Sequence, residues 1–491
     1  MAARSLKARS SVQEQVKTVN KCKIVATIGP ASSSPQIIEQ LMIVGVNIFR
    51  LNFSHGDHAM HLANIKNIRS IAQNLQKRVA ILQDLQGPKI RVGKLINDSM
   101  QVIEGESYEL EYGVNQRDPK VIPVDYRGLV YDVRAGDLVM MDDGLIICDV
   151  EAVKSDSLVV KMKVGGLLKN RKGVNFPSSK LSLPAMTDKD SKDLLFGITH
   201  HVDMVALSFV QSPADIEQIK SMIQVLGADI PVIAKIEKLS AIDQIEEITK
   251  LSDGIMVARG DLGVEAGVEK VPNLQKIITK TAKKFAKPVI VATQMLESMI
   301  QNPRATLAEV ADVANGVLDN ADCLMLSGEV ASGKYPVESV ERMASIIQEV
   351  ENWKLSRNEP LVPGYALEKE WQEHESIARA ACEAAEAINA KAIVCLTLTG
   401  SIARLIARWR PKAAIIAVSP REDIVNRLAM VWGVYGIRNP SFYNTDTLLQ
   451  DLPKLLKDLD IVSIGDTIVI TAGIPLNQMR PTNMMKIDRI P

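Results

Sequence analysis

One pattern governs what this chain can fold into: a short apolar segment, a polar loop and an amphipathic stretch recur along most of its length. The apolar segments are KIVATIG at 23–29, VNIFRLNF at 46–53, VAILQDL at 79–85, DMVALSFV at 203–210, PVIAKIE at 231–237, GIMVARGDLG at 254–263, PVIVATQM at 288–295 and DCLMLSGE at 322–329. Nearly all are unbroken hydrophobic runs, which read as parallel strands buried on both faces and joined by helices. About eight such units is the number that closes a TIM barrel. Nearly all carry polar or charged residues toward their ends, so the chemistry should gather at the C-terminal rim.

The period breaks between about 89 and 183, where short alternating segments with frequent Gly, Asp and Pro (VRAGDLVMMDDGLIICDVEAV, SLVVKMKVGG) predict an inserted antiparallel β domain. An insertion after the third strand projects from the rim, where it can act as a lid. From about 355 the rhythm resumes with KAIVCLTLTG, the helical SIARLIARWR, AAIIAVSP and DTIVITAG. The predicted fold class is therefore α/β. A TIM (β/α)8 barrel spans 21–88 and 184–354, a β-barrel lid domain 89–183 and a C-terminal α/β domain 355–491, behind an N-terminal arm at 1–20.

Composition narrows the function classes. The 58 basic and 58 acidic residues cancel and no Lys/Arg stripe occurs, so nucleic acid and anionic membranes are not expected partners. Cys22, Cys148, Cys323, Cys382 and Cys395 are scattered, odd in number and free of metal-ligand spacing, which suggests a reducing compartment. No apolar run approaches the roughly 20 residues that cross a bilayer, and the expected location is cytoplasmic. The start MAARSLKARSSVQEQVK is Ser/Arg-rich with no acid before Glu14, in the manner of an organelle transit peptide; a solvated helical arm is the blander reading.

At the strand ends, Lys235 and Glu237 lie two apart and so point the same way. Arg259 and Asp261 come from the next segment. Glu237 and Asp261 would form a two-carboxylate platform for Mg²⁺, and a cation beside a lysine suits a dianionic phosphate. The ARGDLG turn also offers glycine amides to an anion. Arg50 and Arg91 would face the same rim and chelate phosphate. The alternative is structural: these charges pair as a layer on the rim, Ser54 is an N-cap and His55 an isolated structural histidine. GEVASGKY at 328–335 nearly matches a P-loop, but Tyr335 and Pro336 remove the metal-binding hydroxyl, so no Walker site is expected.

The strings ATIGPAS, RLNFSHG, DLQGPKIR, KGVNFP, AKIE, MVARGDLGVE, ATQMLESMI, TLAEVADVANGVLDNAD and LMLSGEVASGKYP, in this order, resemble pyruvate kinase from about residue 20 to the end. The DLQGPK version is similar to a bacterial branch of that family. The resemblance implies transfer of the phosphoryl group of phosphoenolpyruvate to ADP, giving pyruvate and ATP, by a homotetramer with a regulatory C-terminal domain. It implies that Arg50 and Lys235 bind the phosphoryl group, and that Glu237 and Asp261 hold Mg²⁺, with Mn²⁺ able to stand in. The amides of Gly260 and Asp261 and the Thr293 hydroxyl would orient the substrate carboxylate, and a polar network near Thr293 and Ser327 would protonate enolpyruvate. ADP would contact Asn52, Phe53, Ser54, His55, Arg91 and, from the lid, Lys172.

Two departures from the family pattern matter. Members that require K⁺ carry an acid where Lys89 stands and a hydroxyl where Leu85 stands. Asn52, Ser54 and Asp84 of the ion pocket remain, so the Lys89 ammonium is expected to substitute for K⁺ and make the ion dispensable. The loop TLTGSIA at 397–403 opens a helix, and Thr397, Thr399, Gly400 and Ser401 can cradle a phosphate there. Leu398 and Ile402 replace polar positions of fructose-1,6-bisphosphate-responsive members, which favours AMP or a sugar monophosphate; a loop that binds nothing is the alternative. Two other functions stay open at this point: a Mg²⁺-dependent barrel lyase acting on pyruvate or oxaloacetate, and a non-catalytic effector-binding paralogue.

Overall fold

The computed structural model describes residues 20–177, 179, 181–357, 372–440, 445–476 and 480–491. The N-terminal arm, and with it the transit-peptide reading, lies outside the described residues except at residue 20. The apolar runs form β1 (Lys23–Ile28), β2 (Val46–Asn52), β3 (Ala80–Asp84), β4 (Met204–Leu207), β5 (Val232–Ile236), β6 (Gly254–Ala258), β7 (Val289–Ala292) and β8 (Cys323–Leu326). They close as a barrel in the order β1-β8-β7-β6-β5-β4-β3-β2, every pair parallel.

Alternation along each strand divides two cores. Val25, Ile48, Leu82, Met204, Ile233, Met256, Ile290 and Met325 fill the barrel interior. Ile24, Phe49, Ile81, Val205, Val257 and Leu324 pack outward under the helices. Helix starts are set locally: Ser34 accepts the Ile37 amide, Asp57 accepts the Met60 amide, and Thr187–Asp190 and Thr306–Glu309 form capping boxes. Every strand is shorter than its apolar run. The largest difference is at GIMVARGDLG, where the strand stops at Ala258 and a helix runs from Arg259 to Ala266, so ARGDLG is a helix start rather than a turn. The segment carries too few apolar residues to show a helical period.

The inserted domain has its own core, from Ile90 to Leu181. Its strands pair as a six-stranded sheet and a two-stranded ribbon, and Ser107–Tyr112 pairs with Val121–Val124 in parallel. The C-terminal domain is a five-stranded sheet of β9 (Ala392–Leu396), β10 (Ala414–Ser419), β11 (Val434–Arg438), β12 (Thr467–Ala472) and β13 (Met484–Arg489), in the order β11-β10-β9-β12-β13. Only β13 runs antiparallel. It is the edge strand, with a largely exposed polar face, and sequence patterning did not reveal it. Among the described residues no helix is long and apolar enough to cross a membrane.

Candidate active site at the barrel mouth

Four neighbouring stave ends, β2 to β5, bring a charge cluster together. Arg50 near the end of β2 donates through Nε to Asp84 Oδ2 at 2.7 Å and through Nη1 to Thr27 Oγ1 at 3.0 Å. Lys235 on β5 puts its Nζ 3.2 Å from Asp84 Oδ1 and 2.9 Å from Glu237 Oε1, and donates to Ser208 Oγ at 2.7 Å. All four charged residues are at most 9% exposed. Burial opposes the Lys235 charge, but the carboxylates of Asp84 and Glu237 outweigh it and lift the pKa to about 12. Burial likewise opposes the Asp84 charge, and there Lys235 and Arg50 win, holding it below the ordinary carboxylate range. The balance is reversed at Glu237: burial, helped by the neighbouring Asp261, keeps its pKa above the usual value despite Lys235.

Glu237 accepts the Phe209 amide on Oε2 at 2.7 Å. Its Oε1 is buried and faces the lysine, yet has no hydrogen bond of good geometry. Asp261 sits in the first turn of the 259–266 helix, with its side chain about a third exposed and Lys89 Nζ 3.5 Å from Oδ1. A spare buried carboxylate oxygen, with a second carboxylate close enough to raise its pKa, fits a hard divalent cation. Among the described residues no three His, Cys, Asp or Glu form a complete metal cage. Two carboxylates would therefore leave positions for substrate oxygen and water.

Thr293 is held by Arg259 and Gly260, in a role the sequence reading did not give them. Arg259 donates to its carbonyl from Nε at 3.2 Å and from Nη2 at 2.6 Å, while Nη1 pairs with Asp312 at 2.8 Å. This clamp fixes Thr293 and Gln294 in the left-handed region, at φ of 70° and 54°. The Gly260 amide, expected to meet the substrate, donates instead to Thr293 Oγ1 at 2.9 Å, because the helix start turns it toward β7. Ser327 caps the short helix Gly328–Ala331, and its Oγ is buried without a hydrogen-bond partner. That helix and Pro336 at the next helix start occupy the segment that resembles a P-loop.

The RLNFSHG loop follows β2. Asn52 Oδ1 accepts the Ser54 amide at 3.1 Å, and His55 is exposed. Phe53 does not offer its ring to a nucleotide: it is 2% exposed and stacks on His61 with centroids 4.0 Å apart. Its carbonyl accepts Lys189 Nζ at 2.7 Å. Arg91 bridges to Gly173 at the base of the lid and donates to the Arg171 carbonyl at 3.0 Å. Lys172 pairs with Asp142 at 2.7 Å, within the lid.

Lys89 was expected beside Asn52, Ser54 and Asp84. Asp84 is already neutralised by Arg50 and Lys235, and the ion pair of Lys89 is with Asp261 instead. Leu85 is 1% exposed, in the core. Far from this mouth, in the C-terminal domain, Thr397 Oγ1 accepts the amides of Thr399 at 3.3 Å and Gly400 at 2.8 Å, and Thr399 Oγ1 donates to Ser401 Oγ at 3.0 Å. The loop lines a hollow of about 280 Å³. Ser208 is a residue the sequence reading missed, and Arg259, named there only as a rim charge, holds Thr293; both lie just past a strand end.

Two family models match the chain: the pyruvate kinase barrel domain over residues 19–340 and the pyruvate kinase alpha/beta domain over 375–488. The chain is 44% identical over 473 residues to pyruvate kinase 2 of Synechocystis sp., covering 95% of this chain and 79% of that one. It is 40% identical over 472 residues to pyruvate kinase of Clostridium acetobutylicum, covering 96% and 99%. A crystal structure of a pyruvate kinase from Cryptosporidium parvum matches with a TM-score of 0.89 at 34% identity, covering 99% of each chain.

Proposed function

The chain belongs to the pyruvate kinase family, and from that premise we propose how its barrel mouth moves a phosphoryl group from phosphoenolpyruvate to ADP. The reaction yields pyruvate and ATP, and the lyase and non-catalytic readings fall away. Arg50 and Lys235 receive the phosphoryl group, and the observation that carries this reading is the buried Lys235 ammonium 2.9 Å from Glu237 and 3.2 Å from Asp84. A lysine held charged by two carboxylates presents positive charge without reorganising as the transition state forms. Arg50, tied to Asp84 and Thr27, keeps its remaining donors in fixed directions.

Glu237 and Asp261 would hold the divalent cation, Mg²⁺ as the family generally requires or Mn²⁺ in its place. When bound, that cation neutralises charge on substrate oxygens. Thr293 and the amide of Asp261 orient the substrate carboxylate, with Arg259 and Gly260 as positioning groups for Thr293. The Ser327 hydroxyl, buried without a hydrogen-bond partner, would belong with Thr293 to the polar network that protonates enolpyruvate. Asn52, Ser54, His55, Arg91 and Lys172 form the nucleotide side, Phe53 contributing main chain alone.

The remaining assignments belong to the same reading: a cytoplasmic homotetramer, domain limits at 88, 184 and 355, activity without K⁺, and AMP or a sugar monophosphate on the Thr397–Ser401 loop. The test is a coupled assay of pyruvate formation with and without ADP, in Mg²⁺ and in Mn²⁺. Pyruvate formation strictly dependent on ADP and the divalent ion is expected. ADP-independent pyruvate would restore the lyase reading, and no pyruvate the non-catalytic one.

A further inference from the structure

A second cavity, of about 560 Å³, lies at the opposite end of the barrel from the charge cluster. Its floor is the entry to β4 at Met204, to β5 at Pro231, to β6 at Asp253 and to β7 at Pro288; its roof is the C-terminal domain, from the helices Ser401–Arg408 and Glu422–Arg427. The volume lies in the range that takes a small metabolite.

The charges around it are unevenly satisfied. Lys220 pairs with Asp253 at 2.9 Å. Arg427 pairs with Asp229 at 3.1 Å, and Arg421 with Asp423 at 2.6 Å. Arg404 is half-buried in the same wall, and among the described residues its guanidinium has neither a hydrogen bond nor an ion pair, Asp253 across the cavity acting on it only at longer range. It also borders a small neighbouring hollow shared with Lys287, whose Nζ is spent on the carbonyls of Lys250 and Ser252. Burial of Arg404 outweighs the attraction of Asp253, and the neighbouring Arg427 adds repulsion, so an anion in the cavity would supply charge that the protein itself does not. The planar forks of Arg404, Arg421 and Arg427 on one cavity match the tetrahedral oxygens of phosphate better than they match a hydroxyl or an apolar group.

We propose that this cavity between the barrel base and the C-terminal domain binds a small phosphate monoester, with Arg404 as its principal anchor. The site is distinct from the Thr397–Ser401 loop, although Thr399 borders both hollows. The bound phosphate takes Arg404 as a bidentate partner, with Arg421 and Arg427 at its rim. It touches the beginnings of the strands whose far ends carry Lys235, Glu237, Asp261 and Thr293.

Equilibrium dialysis with labelled inorganic phosphate, and thermal unfolding with inorganic phosphate or glycerol 2-phosphate, test this on the full chain at constant ionic strength. Phosphoenolpyruvate, itself a phosphate monoester, is left out, and Arg404→Met, which leaves the barrel mouth intact, separates this site from phosphate taken there. The wild type should bind phosphate and unfold at higher temperature in its presence. Arg404→Met should weaken that binding at least tenfold, and in phosphate-free buffer should unfold no lower than the wild type, because no hydrogen bond or ion pair is lost and burial outweighs the attraction of Asp253. Thr397→Ala should keep the site. The proposal is overturned if the wild type binds no phosphate, if Arg404→Met binds it as the wild type does, if Arg404→Met is destabilised without phosphate, or if only Thr397→Ala abolishes binding. None of these readouts depends on turnover, so they stand apart from the catalytic assignment.

Discussion

Replacing Lys235 by methionine keeps the aliphatic stem and removes the ammonium at the centre of the site. In the folded protein its pKa rises from 10.5 to about 12. A shift of that size corresponds to roughly 2 kcal/mol in favour of the charged form. Breaking a buried ion pair commonly costs about 3–5 kcal/mol, because a lone charge stays behind. Here the cost should stay near the lower figure: Asp84 retains Arg50 at 2.7 Å, and Glu237, already raised in pKa by burial, takes up a proton. The sign follows from linkage. The folded pKa lies above the unfolded one, so the lysine's contribution is complete below about 10.5 and is lost as pH rises through about 12. The catalytic loss should be far larger, about 10³-fold or more in kcat, the range for removing a preorganised cation from phosphoryl transfer. Lactate dehydrogenase-coupled turnover and thermal unfolding measure the two effects on one sample. Turnover within tenfold of wild type, with the variant folded, would refute the assignment of Lys235. Activity restored in part by Lys235→Arg would support it.

Glu237→Gln preserves shape and removes the charge offered to the cation, so half-maximal rate should require roughly tenfold more Mg²⁺ or beyond; an unchanged Mg²⁺ titration would take Glu237 out of the metal site. Turnover in tetramethylammonium buffer should match that in K⁺, and Lys89→Ala, which removes the positive charge 3.5 Å from Asp261, should make the rate K⁺-dependent; a wild-type rate that collapses and returns with K⁺ refutes the role of Lys89. Lys23 is 2% exposed, rests on the Tyr435 ring 4.4 Å away, and is pushed by burial down to about 8. Its folded pKa lies below the unfolded 10.5, so its charge weakens the fold at neutral pH and the penalty is relieved as pH climbs from about 8 through 10.5. Lys23→Met should therefore raise stability at pH 7, by up to roughly 3 kcal/mol, and flatten the rise in melting temperature between pH 8 and 10; a less stable variant at pH 7 contradicts this.

The barrel was legible because burial on both faces leaves a parallel strand no choice but a nearly continuous apolar run, and Val289 through Ala292 or Cys323 through Leu326 show it directly. Lys235 and Glu237 were readable as a pair because a two-residue step along a strand returns the side chain to the same face. The start of the 259–266 helix was not, since RGDLGVEA carries a turn composition and its helical geometry is imposed by Arg259 gripping the Thr293 carbonyl 34 residues away.

What the linear order determined on its own was which side chains could reach the barrel mouth and which strands would bear them, both consequences of local periodicity. Closure of the barrel decided the rest. It set Asp84 between Arg50 and Lys235, brought Lys89 to Asp261, turned Phe53 into the core and left Arg404 without a hydrogen bond or ion pair at the barrel base. Charges choose partners by distance and desolvation, and neither quantity exists until segments remote in sequence are brought together.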